Sequence, residues 1–335
     1  MKIVKQAAEY LDISKMSQYQ VIERVGRTCY KSEDKITEDS ASKFVSSLVK
    51  SGHHAMIEFG YIYMKITDID FCEFFQARKP HFIRMIGDYV VGSFRAFYDW
   101  FNDWLNGKFM ISMDDFDGFM DLIWCLKRVY PQVFEDLYDA IEKKYDDDFV
   151  FVDDDISPVD IVYPFKFFCR EDFINELHSN KIFDTGIIEL IPHVVKFTTD
   201  RGISHEIVRH RLCSFAQEST RYCNYTKGKF GGEITMIEPL FEPDSDQYKC
   251  WLNTALVAET NYFGLIDLGA TPQAARDVLP NGLKTDIWVG AFEDEWQHII
   301  NLRMHGTTGA PHPKIKALME LVYPDLQKYS EGRIK

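Results

Sequence analysis

The sequence predicts a mixed α+β fold, on three observations. Apolar residues recur at three-to-four spacing through long stretches such as YQVIERVGRTCY and YKCWLNTALVAETNYFGLIDLG, as amphipathic helices require. Shorter segments, YIYMKITDI and VVKFTTD, are rich in aromatic and β-branched residues and suit strands. Across 335 residues, 46% are apolar, enough for a large core without disulfide or metal staples.

In chain order, residues 16–52 read as helical through YQVIERVGRTCY and SASKFVSSLVKSG, with Gly52 as the stop. GHHAMIEF then opens into the strand YIYMKITDI, where Tyr61 and Tyr63 alternate with Ile62 and Met64. From about residue 84 to 185 the composition turns aromatic, and Phe97, Phe101 and Trp104 fall at helical spacing. This block reads as a helical insertion, packing on a core, within a single domain spanning residues 1–335. The run DDDFVFVDDD and the DFDG at Asp115 lack the remaining ligand spacing of a calcium loop, in particular its late Glu, so both read without a metal. After residue 186, VVKFTTD suits a strand and ISHEIVRHR a helix. YKCWLNTALVAETNYFGLIDLG, DIWVGAFEDEWQHIINLRMHG and KIKALMELVYPDLQKY follow as further helices.

The formal net charge of -14 repels nucleic-acid phosphates and anionic membrane surfaces, and it favours a small anionic ligand held by a local patch. Seven cysteines stand singly, with no CxxC pair and no zinc-ligand rhythm, which suits reduced thiols in a cytoplasmic protein. MKIVKQAAEYLDIS has no signal-peptide core, and no apolar run approaches the roughly 20 residues of a spanning helix.

The densest chemistry lies in RHRLCSFAQESTRY, residues 209–222. Consecutive helical residues point about 100 degrees apart, so Arg209, His210 and Arg211 splay toward different contacts. QESTR is composed like a phosphate-cradling loop, with Ser219 and Arg221 offering hydroxyl and guanidinium donors. A surface helix end with ordinary charge is the competing reading. Arg276 in ATPQAARDVLP and Arg303 in HIINLRMHG sit in apolar settings, so each either pairs with an internal carboxylate or faces a ligand. His53, His54 and Glu58 invite a metal reading, but no third well-spaced ligand accompanies them. A nucleic-acid module built on the RHR run would need a wider basic stripe than this acidic chain has.

The spacing RHRxxSxxxxSxR resembles the signature of the flavin-dependent thymidylate synthases, met here by Arg209, His210, Arg211, Ser214, Ser219 and Arg221. GHHAMIEF, ARDVLP and WQHIINLR resemble three further segments of that family, in the family's order. The resemblance implies a sheet flanked by long helices, and a homotetramer with FAD and dUMP in clefts built by more than one chain. It also implies reductive methylation of dUMP to dTMP, with methylenetetrahydrofolate giving the one-carbon unit and NADPH reducing the flavin. By this similarity FAD is held by His53, Ala55, Glu58, Arg209, His210, Arg211, Gln217 and His298. The nucleotide is held by Glu206, Arg209, Gln217, Glu218, Ser219, Thr220, Arg221, Arg276 and Arg303, and Arg303 stabilises charge as N3 of the uracil ionises.

Four departures accompany the resemblance. Ala216-Gln217 stands where the family often has Asn-Glu, Phe59 where a His often follows the early Glu, and Phe292 where an Asn can contact flavin. The segment after Arg303, MHGTTGAPHP, is longer than in the compact members. Ala216, Phe59 and Phe292 keep a second reading open, a catalytically inactive relative that binds flavin or nucleotide as a regulatory or assembly subunit.

Overall fold

The computed structural model describes residues 1–80, 82–145, 165–182, 189–221, 225–226 and 231–335. The acidic run 146–155 lies outside the described residues. Two short strands, β1 (Lys2–Val4) and β2 (Ala7–Leu11), precede α1 (Gln18–Cys29) and α2 (Ser40–Lys50). A 3-10 turn at Met56–Phe59 leads into β3 (Tyr61–Ile66), α3 (Ile69–Arg78), β4 (Ile83–Ile86) and β5 (Tyr89–Ser93). The aromatic block supplies α4 (Phe94–Leu105), α5 (Met113–Val129) and α6 (Pro131–Tyr145), followed by β6 (Phe165–Phe168) and α7 (Arg170–Ser179). Then come β7 (Pro192–Asp200), α8 (Arg201–Ile207), β8 (Ser214–Gln217) and β9 (Thr235–Ile237). The chain continues through α9 (Asp246–Asp267), α10 (Pro272–Ala275), β10 (Lys284–Phe292), α11 (Glu293–Ile300) and α12 (Pro313–Tyr329).

The chain divides into two compact units, one of Met1–Asp12, Arg24–Ile36 and Pro192–Lys335, the other of Ile13–Glu23 and Thr37–Ile191. In the second unit an antiparallel sheet of order β4-β5-β3-β6 carries the core. Ser93 caps α4 by accepting from the Ala96 amide, and α4 buries Phe94, Phe97, Trp100, Phe101 and Trp104, the helical stripe expected from spacing. The strands β4 and β5, joined by a tight turn at Gly87 (φ 59°), were not legible, because IRMIGDYVVGS lacks a clean alternation. DFDG, the fragment resembling a calcium loop, lies inside α5.

In the first unit an antiparallel sheet of order β2-β7-β10-β8 has β10 paired to β7 over nine residues, from Lys284↔Asp200 to Phe292↔Pro192. Val195, Phe197, Ile287, Val289 and Ala291 pack with Ile203 and Ile207 of α8, Trp296 and Ile299 of α11, and Ile315, Leu318 and Val322 of α12. DIWVGAF, expected as the start of a helix, is instead strand β10, with helix beginning only at Glu293. An inner strand buried along nearly its whole length shows no polar alternation, so it cannot be told from a buried helix by pattern. Residues 16–52 likewise divide into α1 and α2, broken by a turn in which Lys31 is left-handed (φ 48°).

A buried polar network also spans this unit. Tyr10 Oη lies 2.7 Å from His193 Nδ1, and His193 Nε2 lies 3.3 Å from Glu293 Oε1. Arg333 grips both Glu293 oxygens, through Nε at 3.0 Å and Nη2 at 2.8 Å.

Candidate functional site

Asp200 ends β7 and starts α8: its carboxylate accepts from the Ile203 amide at 2.8 Å, and Lys314 Nζ of α12 donates to its other oxygen at 2.6 Å. Burial of Ile203 and Ile207 fixes the short helix on the sheet and leaves Glu206 half-buried between them. The RHR run follows as a turn, with His210 N–H donating to Ile207 O at 3.2 Å and Cys213 N–H to His210 O at 3.2 Å. His210 is therefore buried while Arg209 and Arg211 are exposed, so the three basics splay as expected, though from a turn and not from a helix.

Arg303 approaches from the turn that follows α11. Asn301–His305 form a π-helical turn that closes on the Gly306 amide, which donates to Asn301 O. Gly306 adopts φ 70°, and a Cβ there would lie 2.9 Å from Gly309 O, so both backbone and space require glycine. The Arg303 guanidinium is saturated on three sides. Nη1 donates to Glu206 Oε2 at 3.0 Å, Nη2 to Glu206 O at 3.2 Å, and Nε to His210 Nε2 at 3.1 Å. Of the two sequence alternatives for this arginine, the internal carboxylate is present, yet Arg303 stays 23% exposed and lines a cavity.

Because Arg303 Nε–H donates to Nε2 of His210, the imidazole proton belongs on Nδ1. Burial, with Arg303 and the His298 ring 5.8 Å away, lowers the His210 pKa to about 4. Unfolded histidine takes up a proton below about pH 6.5, which folded His210 refuses until about pH 4, so this stabilisation is present above 6.5 and is lost as pH falls. Denaturant titrations should find the protein about 1–2 kcal/mol less stable at pH 5 than at pH 7 from this group, as the difference between unaltered protein and His210→Gln. Equal pH dependence in the two proteins would contradict a neutral His210.

The cavity, of about 380 Å³, is lined by Arg209, His210, Arg211, Glu295, His298, Leu302 and Arg303. Neither Arg209 nor Arg211 forms an ion pair among the described residues, so both are available to an anion. Glu295 and Leu302 were not singled out from sequence. Their spacing with His298, three and four residues along one helix, was the signal that could have found them.

A second cluster gathers the other donors. Thr220 is buried, and its hydroxyl accepts from Arg276 Nη1 at 3.3 Å, which brings two sequence-expected residues together across 56 positions. The Arg221 amide donates to Ser219 Oγ at 3.3 Å, and the Arg221 side chain is exposed. Gln217 Nε2 donates to Ser204 Oγ at 2.8 Å and to Thr285 Oγ1 at 3.2 Å. Glu218 is buried against Lys31 and Lys284, neither of which stood out in the sequence. Burial opposes ionisation of the neighbouring Asp286, but Lys284 and Lys31 outweigh it and lower its pKa to about 2.

Cys213 is buried and its thiol is pushed up by burial, then by Glu295 and Asp294, which opposes formation of a thiolate. Phe59, Ala216 and Phe292, the departures from the resembled pattern, are all buried packing residues. His53, Ala55 and Glu58 belong to the second unit. There Glu58 Oε1 accepts from Arg95 Nη1 at 2.5 Å, and the His54 ring lies 4.6 Å from Tyr98.

The flavin-dependent thymidylate synthase of Pyrococcus horikoshii is 29% identical over 133 residues, covering 38% of this chain and 54% of that protein. That of Geobacter sulfurreducens is 30% identical over 130 residues, covering 37% and 54%. The chain therefore spans about half the length of the curated relatives it matches. Among solved structures, a UMP/dUMP methylase PolB from Streptomyces cacaoi bound with 5-Br dUMP aligns at 18% identity and a TM-score of 0.37, over 50% of this chain and 84% of that one. A family model described as thymidylate synthase complementing protein matches residues 153–329, which include the RHR run, Arg276 and Arg303 but not His53, Ala55 or Glu58. Since that match extends over more than half of the residues, the chain belongs to the family of thymidylate synthase complementing proteins, the flavin-dependent thymidylate synthases.

Proposed function

We propose that this chain converts dUMP to dTMP by reductive methylation, with methylenetetrahydrofolate as the one-carbon donor and NADPH-reduced FAD as the hydride source. One observation carries the reading: the RHR run, His298 and Arg303 converge on one cavity, with Glu206 holding the Arg303 guanidinium. The donor set suits FAD, since Arg209 and Arg211 offer forked donors to a diphosphate, and neutral His210 leaves the charge to the arginines. Gln217 and His298 would contribute beside them, and His53, Ala55 and Glu58 would come from another copy in a homotetramer. When bound, FAD supplies the hydride.

The remaining steps belong to this chain's own side chains. Ser219, Thr220, Arg221 and Arg276, with Glu218 behind them, would grip the nucleotide and its phosphate. Arg303 would hold the uracil edge and stabilise the negative charge as N3 loses its proton, an electrostatic role that Glu206 tunes by fixing the guanidinium. In this reading the chain is a cytoplasmic enzyme. No helix among the described residues is long and apolar enough to cross a membrane, and Cys29, Cys72, Cys125, Cys169, Cys213 and Cys250 stand outside any disulfide.

The test is anaerobic dTMP formation by FAD-supplemented protein, leaving out dUMP, methylenetetrahydrofolate and NADPH in turn. Product that depends on all of them supports the reading. Absence of product, with flavin bound and dUMP still perturbing its spectrum, would favour the inactive relative. Arg221→Ala should weaken dUMP binding about tenfold or more, the loss expected for one charge-assisted contact of about 1.5–3 kcal/mol. An unchanged dUMP titration would remove Arg221 from the phosphate site.

A further inference from the structure

Glu218, Asp286, Lys31 and Lys284 form a closed ion quartet beside the Ser219–Arg221 segment. Lys31 Nζ lies 3.3 Å from Glu218 Oε2 and bonds Asp286 Oδ2, while Lys284 Nζ lies 3.0 Å from Glu218 Oε2 and bonds the same Asp286 oxygen. The backbone closes it further: Glu218 N–H donates to Asp286 O at 2.8 Å, and Asp286 N–H donates to Glu218 Oε2 at 3.3 Å. Thr198 Oγ1 on β7 donates to the other Asp286 oxygen at 2.7 Å.

Two carboxylates and two ammonium groups cancel. Neither lysine therefore brings net positive charge to a phosphate, and the quartet's effect must lie in geometry. Both carboxylates are nearly inaccessible, Glu218 at 3% and Asp286 at 7%, so their pairing is protected from solvent screening. Lys31 enters from the turn after α1 with φ 48°, a conformation that lysine rarely adopts and that persists where surrounding contacts hold it. The last residue of α1, two positions before Lys31, makes a second contact, with Cys29 O accepting from Ser219 N–H at 3.4 Å. The end of α1 and the turn after it thus touch two consecutive residues of the segment, Glu218 through the Lys31 ammonium and Ser219 through the Cys29 carbonyl.

We infer that Lys31 is a positioning residue that holds Glu218–Arg221 in its ligand-ready geometry before a nucleotide arrives, so that Ser219 and Arg221 need not be ordered on binding. This rests on the proposed reading of the segment as the dUMP site. Pre-ordering lowers the cost of association and leaves the chemical step untouched.

The experiment compares unaltered protein, Lys31→Met and Lys31→Arg, each FAD-loaded. Lys31→Met should raise the KM for dUMP about tenfold with kcat within about twofold and FAD affinity unchanged, and Lys31→Arg should restore most of the loss. Amide hydrogen exchange, read without nucleotide, should quicken in Lys31→Met at residues 218–221 and not along β10. Combining Lys31→Met with Glu218→Gln should add little to either change alone, since both remove one interaction. An unchanged KM with unchanged exchange would overturn the inference, as would a fall in kcat alone. If the unaltered protein does not bind dUMP, the functional reading fails. Exchange then decides alone whether Lys31 orders the segment, and equal exchange in the two proteins overturns the inference.

Discussion

Arg303→Ala is expected to lower dTMP formation by about two to three orders of magnitude while FAD stays bound, the scale seen when one preorganised donor to a developing anion is removed. The geometry explains why so much rests on one side chain. Its guanidinium spans Glu206 Oε2, the Glu206 carbonyl and His210 Nε2, with donors left along the cavity wall. Truncation removes the cation, frees the Glu206 carboxylate beside the anion it would have neutralised, and relieves the pressure that keeps His210 neutral. Arg303→Lys should recover little, because the donors of one ammonium nitrogen cannot span acceptors that the planar guanidinium reaches from three separate nitrogens. The flavin spectrum checks retention of the cofactor, and turnover within about threefold of the unaltered protein would take Arg303 out of the mechanism.

Glu293→Ala carries the largest expected loss of stability, about 3–5 kcal/mol, the cost of breaking a buried ion pair from one side. Glu293 is fully buried. Burial alone would raise its pKa, but the hydrogen bonds from His193 and Arg333 outweigh burial and hold the carboxyl below the usual range. Removing it takes both Glu293 contacts from Arg333, whose side chain is 12% exposed and which keeps its ion pair with Glu331 at 3.1 Å, and takes the Glu293 contact from His193 Nε2. Strand β2, strand β7, helix α11 and the segment after α12 lose their common anchor. Urea denaturation followed by far-ultraviolet circular dichroism measures the effect, and a loss under about 1 kcal/mol would show that the network contributes little to the fold.

The periodic helices α2, α4, α9 and α12 were legible because each buries a single stripe, and β3 and β7 because β-branched and aromatic residues dominate them. The motif residues Arg209, His210, Arg211, Ser219 and Arg221 were legible by type and spacing alone. Strand β10 was not. An inner strand covered on both faces carries no alternation to read, and only its pairing with β7 and β8 distinguishes it from a helix. Nor could spacing tell whether Arg303 meets a carboxylate or a ligand. Its contact with Glu206 crosses 97 positions and depends on the sheet that sets α8 against α11. The ion quartet is the extreme case: Lys31 and Lys284 are unremarkable lysines in sequence and become partners of Glu218 and Asp286 only when a left-handed turn and two strands converge. Sequence by itself determined the fold class, the acidic balance and the cluster of anion-seeking donors, since these depend on residue type and local period. Tertiary structure alone decided which charges neutralise one another and which stay free for a ligand, because Coulomb energy and desolvation depend on distance and burial, and neither is written in the order of residues.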